Sequence, residues 1–393
     1  MLFALVASSL VFANVNAGEM TLSGSMEVAL TKVDGETGNP IGLENEMDIT
    51  GSTELDNGIG VAYKMTIDAT TFDDEELVFS TPYGTLAVAS TGGPLDANDN
   101  IVPTAFEEAE YGVTGTSYID VSKFSGNGAM ALRYGNTFYG VGVDAMYTPR
   151  YGSGDGSDDG SPSGTANGEY GAVEEIVLSA DPLGMLGIDG SAVKVGYGKV
   201  ESLESTRSDP ESALVAVTYA YGPLSVGLQK SGVLYGEDGT SRTTGDVIYA
   251  RNTNVGAAFA VNDNLSISYQ ETESLRKSIG GIEGVASVGG SGTNSKTLKA
   301  DTISVAYTIG GLSIKYADSE VDQDAYTAST NSTATTLSIG VMAFVVQDAA
   351  EKIFSFSTSI SWLIPKTIFG IFFPGAVNKT FETPFELRCN FRL

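Results

Sequence analysis

Apolar and polar residues alternate with a period of two along most of residues 19–344. In 265–270 every second side chain is apolar, and 302–309 and 312–316 repeat the pattern. Val61, Tyr63, Met65 and Ile67 alternate with Ala62, Lys64, Thr66 and Asp68. Val215, Val217, Tyr219 and Tyr221 alternate in the same way. Successive side chains of a strand point to opposite faces, so this periodicity predicts strands with two unlike faces. No stretch of 19–344 carries a sustained helical period. The predicted strands are 19–32, 42–55, 59–69, 75–81, 84–90, 128–134, 137–147, 173–180, 189–199, 211–221, 224–234, 246–261, 264–273, 298–309, 312–319 and 334–344. They number sixteen.

The links between them sort by parity. Short links fall at Asp56-Asn57-Gly58, Tyr83-Gly84, Gly135-Asn136, 181–188, Gly222-Pro223, Asn262-Asp263 and Gly310-Gly311. Their Gly, Asn and Asp residues suit tight hairpin turns. The intervening links are 33–41, 70–74, 91–127, 148–172, 200–210, 235–245, 274–297 and 320–333, and all but 70–74 are long. An even strand count, with short turns on one rim and long loops on the other, is the pattern of a transmembrane barrel. A soluble fold has no reason to sort its loops this way.

The two faces agree with that reading. One is a continuous apolar series that often ends in Tyr, a residue favoured at the membrane interface. The other is Ser, Thr, Gly and Ala with scattered charge, where a soluble sandwich would show many Lys, Glu and Arg. The expected fold is therefore all-β: a sixteen-stranded antiparallel transmembrane β-barrel with short periplasmic turns and long extracellular loops.

Composition narrows the function. The 393 residues carry 49 Asp plus Glu against 21 Lys plus Arg, a net charge of −28. Such a chain is a poor partner for nucleic acid, whose binding depends on neutralising phosphates. There is no His and a single Cys. This removes the Ser-His-Asp triad, a His general base, an internal disulfide and a Cys-based zinc cluster. No enzyme and no cofactor are expected. The segment 154–160 holds Asp155, Asp158 and Asp159, carboxylates that suit Ca²⁺ in type. It lacks the closing Glu of a complete calcium loop, so it reads better as a plain extracellular loop. Gly-x-Gly pairs such as Gly140-Val141-Gly142 read as small lumen-facing residues and not as a phosphate cradle.

Both ends depart from the middle. Residues 2–13 form an uncharged apolar run, and Val15 and Ala17 sit at the −3 and −1 positions of a small-residue cleavage site. Residues 1–17 are thus expected to be a secretory signal peptide, although no base precedes the run. Residues 345–393 hold the only Trp (Trp362), the only Cys (Cys389) and 8 of the 17 Phe. The stretch 353–373 has the length of a membrane span, but Pro365 and Lys366 interrupt it. The segment reads as an atypical, poorly ordered C-terminal tail after a barrel of 18–344.

The signal peptide, the opening Glu19-Met20-Thr21-Leu22-Ser23-Gly24, the sixteen strands and the long insertion after the fifth are similar to a Gram-negative general porin of alphaproteobacterial type. The resemblance covers 18–344 and is one of architecture more than of signature. It implies an outer-membrane location, a trimer of barrels, and a long third loop that folds into the lumen and narrows the pore. Here that loop is 91–127. The resemblance makes Asp96, Asp99, Glu107, Glu108 and Glu110 acidic constriction residues, set against lumen bases on the opposite wall. Strand parity points Lys64, Arg133, Lys194 and Lys315 inward as the bases. It also points Glu27, Glu44, Glu46, Asp48, Asp68 and Asp144 inward. The family ends its last strand on an aromatic residue. The match here, Phe344, is followed by further chain, and the alternation turns it inward unless a bulge intervenes.

The function expected is a water-filled channel for passive diffusion of small hydrophilic solutes and ions, weakly cation-preferring, with lipid around it and two more copies beside it. The alternatives are a substrate-specific channel and a barrel-anchored adhesin or structural envelope protein.

Overall fold

The computed structural model describes residues 19–69, 71–113, 118–125, 129–151, 170–205, 207–236, 246–280, 292–327 and 330–347. The signal-peptide segment 1–17, the Asp155, Asp158 and Asp159 loop, and residues 348–393 lie outside the described residues.

Sixteen antiparallel strands close into one barrel. They are β1 (Glu19–Val33), β2 (Ile41–Glu54), β3 (Gly60–Asp68), β4 (Thr71–Thr81), β5 (Gly84–Ala89), β6 (Ala131–Phe138), β7 (Val141–Thr148), β8 (Tyr170–Ala180), β9 (Ser191–Ser202), β10 (Glu211–Tyr221), β11 (Leu224–Leu234), β12 (Val247–Ala260), β13 (Leu265–Gly280), β14 (Gly292–Ile309), β15 (Leu312–Asp322) and β16 (Asn331–Gln347). Each strand pairs with its chain neighbours, and β16 pairs with β1 from Val33↔Ala334 to Thr21↔Gln347. Every ladder therefore has a partner on both sides, which is the condition for strands in hydrocarbon. The connections mostly alternate between short and long, but the β3–β4 link is only 69–70, and the β8–β9 link, 181–190, is longer than the β9–β10 link, 203–210.

The outer face is apolar. Leu22, Met26, Leu43, Tyr63, Leu86, Leu132, Ile176, Val195, Val217, Val226, Val255, Ile267, Ile303 and Ile339 all stand exposed on it. In water this belt would be an aggregation surface. Against acyl chains it is matched.

Several boundaries differ from the sequence reading, for identifiable reasons. The turn between β6 and β7 is Tyr139-Gly140 and not Gly135-Asn136. Both turn residues have positive φ (52° and 85°), the conformation of the two-residue turn that matches strand twist. Gly140 is thus a turn residue and not a lumen-facing one. Gly135 and Asn136 lie inside β6, where the Asn136 amide donates to the Tyr83 carbonyl at 2.8 Å. Strands β13 and β14 run past their predicted ends because the ladder continues through polar residues after apolar alternation stops. Inward Ser274 is buried there. Strand β16 runs to Gln347, so residues 345–347 belong to the barrel and not to the tail. A register shift lies between Leu22↔Val346 and Gly24↔Ala343. It sets Phe344 and Val345 against the single residue Ser23.

Closure is complete within 19–347. A chain truncated after Gln347 should still refold into a barrel that migrates differently when unheated and heated on a denaturing gel. Loss of that shift would show that 348–393 helps to build the wall.

Candidate functional site: a loop inside the barrel

The segment between β5 and β6 lies inside the lumen, bound to the wall from β8 round to β16 and β1. Its side chains and backbone are held by residues that strand parity turns inward. At its start, the Leu95 N–H donates to Glu175 Oε2 on β8 at 3.0 Å, and the Gly93 N–H donates to Ser125 Oγ at 3.2 Å. Leu95, 1% exposed, seats on β9, where a Cβ on Gly196 would meet its Cδ2 at 2.8 Å and one on Gly198 its Cδ1 at 2.5 Å. Only glycine leaves room for it there. Gln229 on β11 uses its whole amide. It donates to the carbonyls of Asn98 (2.9 Å) and Asp99 (2.6 Å) and accepts from the Ile101 N–H (3.0 Å). Further along, Gln270 donates to the Val102 carbonyl, Ser268 accepts from the Ala105 N–H at 2.8 Å, and Thr302 donates to the Ala109 carbonyl. Gly112 ends this leg against Thr336 of β16 and Thr31 of β1.

The chain then doubles back. Ile119 donates its N–H to the Tyr326 hydroxyl and accepts from the Asn252 amide, each at 2.9 Å. The Asp120 carboxylate caps the turn Val121–Phe124 by accepting from the Ser122 N–H at 2.7 Å. Phe124 ends in a cluster with Tyr151, Tyr170 and Tyr235, ring centroids 5.2–6.1 Å away. A register shift between Tyr170 and Val173 on β8 accompanies the inward placement of Tyr170. Burying a Leu, Val or Phe stabilises by about 1.5–3 kcal/mol each, and Leu95, Phe106, Val121 and Phe124 are all buried. The loop is therefore fixed to the β8–β16 side of the barrel and reaches β1 at Gly112.

The sequence-predicted residues fall into three groups. Lys64, Arg133, Lys194, Lys315, Glu27, Glu44, Glu46, Asp48, Asp68 and Asp144 all occupy inward positions of their strands. Three of the bases are in ion pairs: Lys64 with Asp48 (3.1 Å), Arg133 with Asp144 (2.5 Å) and Lys315 with Glu27 (3.0 Å). Lys194 donates to Asn98 Oδ1 at 2.5 Å. It thus ties the loop to its own wall and does not face it across the pore. Lys315 also stands on the loop's side, 4.9 Å above the Phe106 ring. The reason is the same for both: the loop docks on the strands that carry them.

The loop acids divide as well. Glu107 and Asp96 are exposed toward the lumen. Burial raises the Glu107 carboxyl, and the Lys315 charge opposes that shift. Burial likewise raises Asp96, against a hydrogen bond from Ser122. Asp99, Glu108 and Glu110 turn inward to the loop itself, beside Asp120. Burial and the neighbouring Asp120 push Asp99 up to about 7. Burial, then the charges of Asp99, Glu110 and Asp120, push Glu108 up to about 9. Burial, opposed by a backbone hydrogen bond, pushes Glu110 up to about 7. These three do not face the basic wall, because the two legs of the loop close over them. Among the described residues no group of three or more acids is arranged to hold a metal ion.

The comparisons agree with this geometry. A family model described as Gram-negative porin matches residues 2–301. The chain belongs to the Gram-negative porins. No curated protein matches this porin in sequence. Among solved structures it resembles OmpT, an outer membrane protein of Vibrio cholerae, with a TM-score of 0.58 at 10% identity over 84% of this chain and 98% of that one. It also resembles an anion-selective porin from Comamonas acidovorans, with a TM-score of 0.53 at 11% identity over 82% and 99%. The lumen loop, the closed sixteen-strand wall and the outer-membrane location are thus those of a channel for passive diffusion.

The residues that the alternation pattern did not single out are the loop's anchors: Glu175, Gln229, Asn252, Ser268, Thr302 and Tyr326, with the glycines Gly196 and Gly198. For Gln229, Asn252, Ser268 and Thr302 the signal was present in the inward positions of β10–β16, which are mostly uncharged and polar while many of those on β1–β7 are charged.

The buried loop acids set a pH dependence. Their folded pKa values lie above the ordinary carboxylate range, so docking is strongest where they are protonated, below about pH 4. It weakens as pH rises through about 7 for Asp99 and Glu110 and about 9 for Glu108, because charge is then forced into a closed space. Single-channel current should be steady at pH 5 and noisier and larger at pH 9. In an Asp99→Asn, Glu108→Gln, Glu110→Gln variant the two records should match. A second expectation concerns the glycine seat. Gly198→Val should displace Leu95 and raise conductance by roughly twofold, a fraction of the gain from removing the loop, since other anchors remain.

Proposed function

We propose that this porin is a general diffusion channel with a modest preference for cations, in which the constriction lies between the lumen loop, 91–127, and the charged wall of β1–β7. The observation that carries the reading is how lumen charge is compensated. The Lys64, Arg133 and Lys315 charges are each met by a wall carboxylate, and Lys194 is turned to the loop. Glu44, Glu46 and Asp68 have no ion pair among the described residues, and Glu107 and Asp96 add exposed acid from the loop. Inward Arg276, over the Tyr326 ring at 4.5 Å, is a base without an ion pair among the described residues that sets against these five acids; the uncompensated charge is predominantly negative, and a low-dielectric passage concentrates counter-ions of opposite sign. The barrel itself does not set the sign, since a solved structure of similar fold is named anion-selective. Passage needs no covalent chemistry and no cofactor, so an enzymatic role has no part in this reading.

Three further elements belong to it. Residues 1–17 are removed as a signal peptide, leaving Gly18 as the first residue. The channel assembles as a homotrimer, a reading supported by the trimer form recorded for the Vibrio cholerae protein. The inward aromatic cluster of Phe124, Tyr151, Tyr170 and Tyr235 serves to hold the loop, since its rings pack on one another and not along the path. This favours a general channel over a substrate-specific one.

Reversal potentials in a salt gradient test the selectivity. The wild type should favour K⁺ over Cl⁻. The variant Glu44→Gln, Glu46→Gln, Asp68→Asn, Glu107→Gln should lose roughly half or more of that ratio, and the loss should shrink at high salt, where charges are screened within about 3 Å. An unchanged ratio would refute the assignment.

A further inference from the structure

Cations are scarce in this chain and are spent on partners. Lys32, Lys64, Arg133, Lys199, Arg207, Lys299 and Lys315 each have a carboxylate within 4.0 Å. Among the bases on the outer face, Lys230, Arg251 and Lys277 break the rule. None of them is in an ion pair among the described residues, and they stand together on the outside of three adjacent strands.

The register places them. Lys230 on β11 lies opposite Thr253 of β12, and Arg251, two residues along, lies opposite Gly232 and Leu275. Lys277 on β13 lies opposite Tyr249. Their outward direction follows from the strand alternation, since Ala250, Asn252, Asn254, Ser274 and Ser231 between them are buried on the inside. The glycine opposite Arg251 leaves the guanidinium stem a flat surface to cross. Tyr249 gathers two of the charges: the Arg251 guanidinium carbon is 5.8 Å from its ring centroid and the Lys277 ammonium 5.7 Å. One ring thus holds two like charges near each other. The acids closest by register are Glu273 and Glu271 on β13 and Asp246, whose carbonyl accepts from the Ile279 N–H two residues beyond Lys277; none of them is in an ion pair with the three bases. Glu273 is taken by Lys299 at 3.4 Å, and Glu271 lies on the next row toward the short-turn rim.

Position along the barrel gives the partner. On the short-turn side of the patch are Leu228, Val255 and Ile267, exposed members of the apolar belt. On its other side are the long loops, which in this family face outward. The patch therefore lies where the belt meets the outer-leaflet headgroups. There Tyr prefers to sit, and long basic side chains reach up from apolar surface. A guanidinium fork and an ammonium group on one ring, with a second ammonium on the adjoining strand and no carboxylate paired to any of them, match a phosphate and its oxygens.

We propose that Arg251 and Lys277, held on the Tyr249 ring, together with Lys230 on the adjoining strand, bind the phosphate of an outer-leaflet lipid headgroup whose acyl chains lie along Leu228, Val255 and Ile267. The site is on the lipid face and is separate from the pore.

Native mass spectrometry of the full chain in detergent tests this. The probe is a bis-phosphorylated glucosamine-disaccharide lipid, alongside the same lipid with both phosphates removed. The wild type should retain the phosphorylated lipid and not its dephosphorylated form. Retention should fall roughly fivefold for each cation removed, as expected for about 1 kcal/mol per base near a charged surface. Lys230→Gln, Arg251→Gln, Lys277→Gln is the main variant, and Arg251→Gln alone covers the case in which the triple variant fails to fold. Lys32→Gln, Lys199→Gln removes two outward bases elsewhere and should retain lipid as the wild type does. Equal retention of the dephosphorylated lipid, or undiminished retention by folded Arg251→Gln, would overturn the proposal. So would full displacement of the lipid by inorganic phosphate, which would mark a simple anion site.

Discussion

The whole molecule depends on closure of the hydrogen-bond ladder between β1 and β16. A strand edge in hydrocarbon has no water to satisfy it, and each open backbone group costs several kcal/mol. Pairing from Val33↔Ala334 to Thr21↔Gln347 removes the last edge. That requirement explains why β16 continues past the end of its apolar alternation and accepts a bulge opposite Ser23. It also fixes the parity of every side chain, because one residue of slip would turn the charged set into lipid and the apolar set into water. The lumen is polar and the belt apolar as a consequence of closure in register.

The lumen is divided into unlike halves. Inward positions on β1–β7 carry most of the charge: Glu27, Glu44, Glu46, Asp48, Lys64, Asp68, Arg133 and Asp144. Those on β11–β16 are chiefly Gln229, Asn252, Ser268, Gln270, Ser274, Thr302, Ser304 and Thr336, nearly all buried. Short uncharged side chains make good anchors for an irregular segment, since each satisfies a loop N–H or carbonyl without bringing a charge out of water. The charged half is left to face the permeating solution. Lys315, Arg276 and Lys296 are exceptions, and the ion pair of Lys315 with Glu27 stitches the two halves together at the β15–β16–β1 boundary.

The alternation made the sixteen strands and the sorting of their links legible, because burial on one face is a local property of each strand. Turn position was less legible. Gly135-Asn136 has the composition of a hairpin, yet strand pairing carries it inside β6, while Tyr139 accepts a left-handed conformation that its side chain does not advertise. Inward direction of Lys64, Arg133, Lys194 and Lys315 could be read from parity. Which wall each would share with the loop could not, since that depends on contacts between residues about a hundred positions apart, such as Lys194 with Asn98. The burial of Asp99, Glu108 and Glu110 was hidden for a like reason: it comes from the loop folding back on itself at Ile119, held by Tyr326 and Asn252. In a sequence the acids of a solvated loop and of a closed one look the same.

The seating of Leu95 on Gly196 and Gly198 separates scaffold from filter. Nearly everything that positions the loop belongs to one arc of the wall, and most of what ions meet belongs to the other. Mutational drift on the β1–β7 arc can therefore rewrite the electrical character of the channel while its bore is left alone. Drift on the β8–β16 arc alters the bore and leaves the charge pattern nearly as it was. Two properties that a transport protein must tune for different environments are, in this molecule, inherited independently.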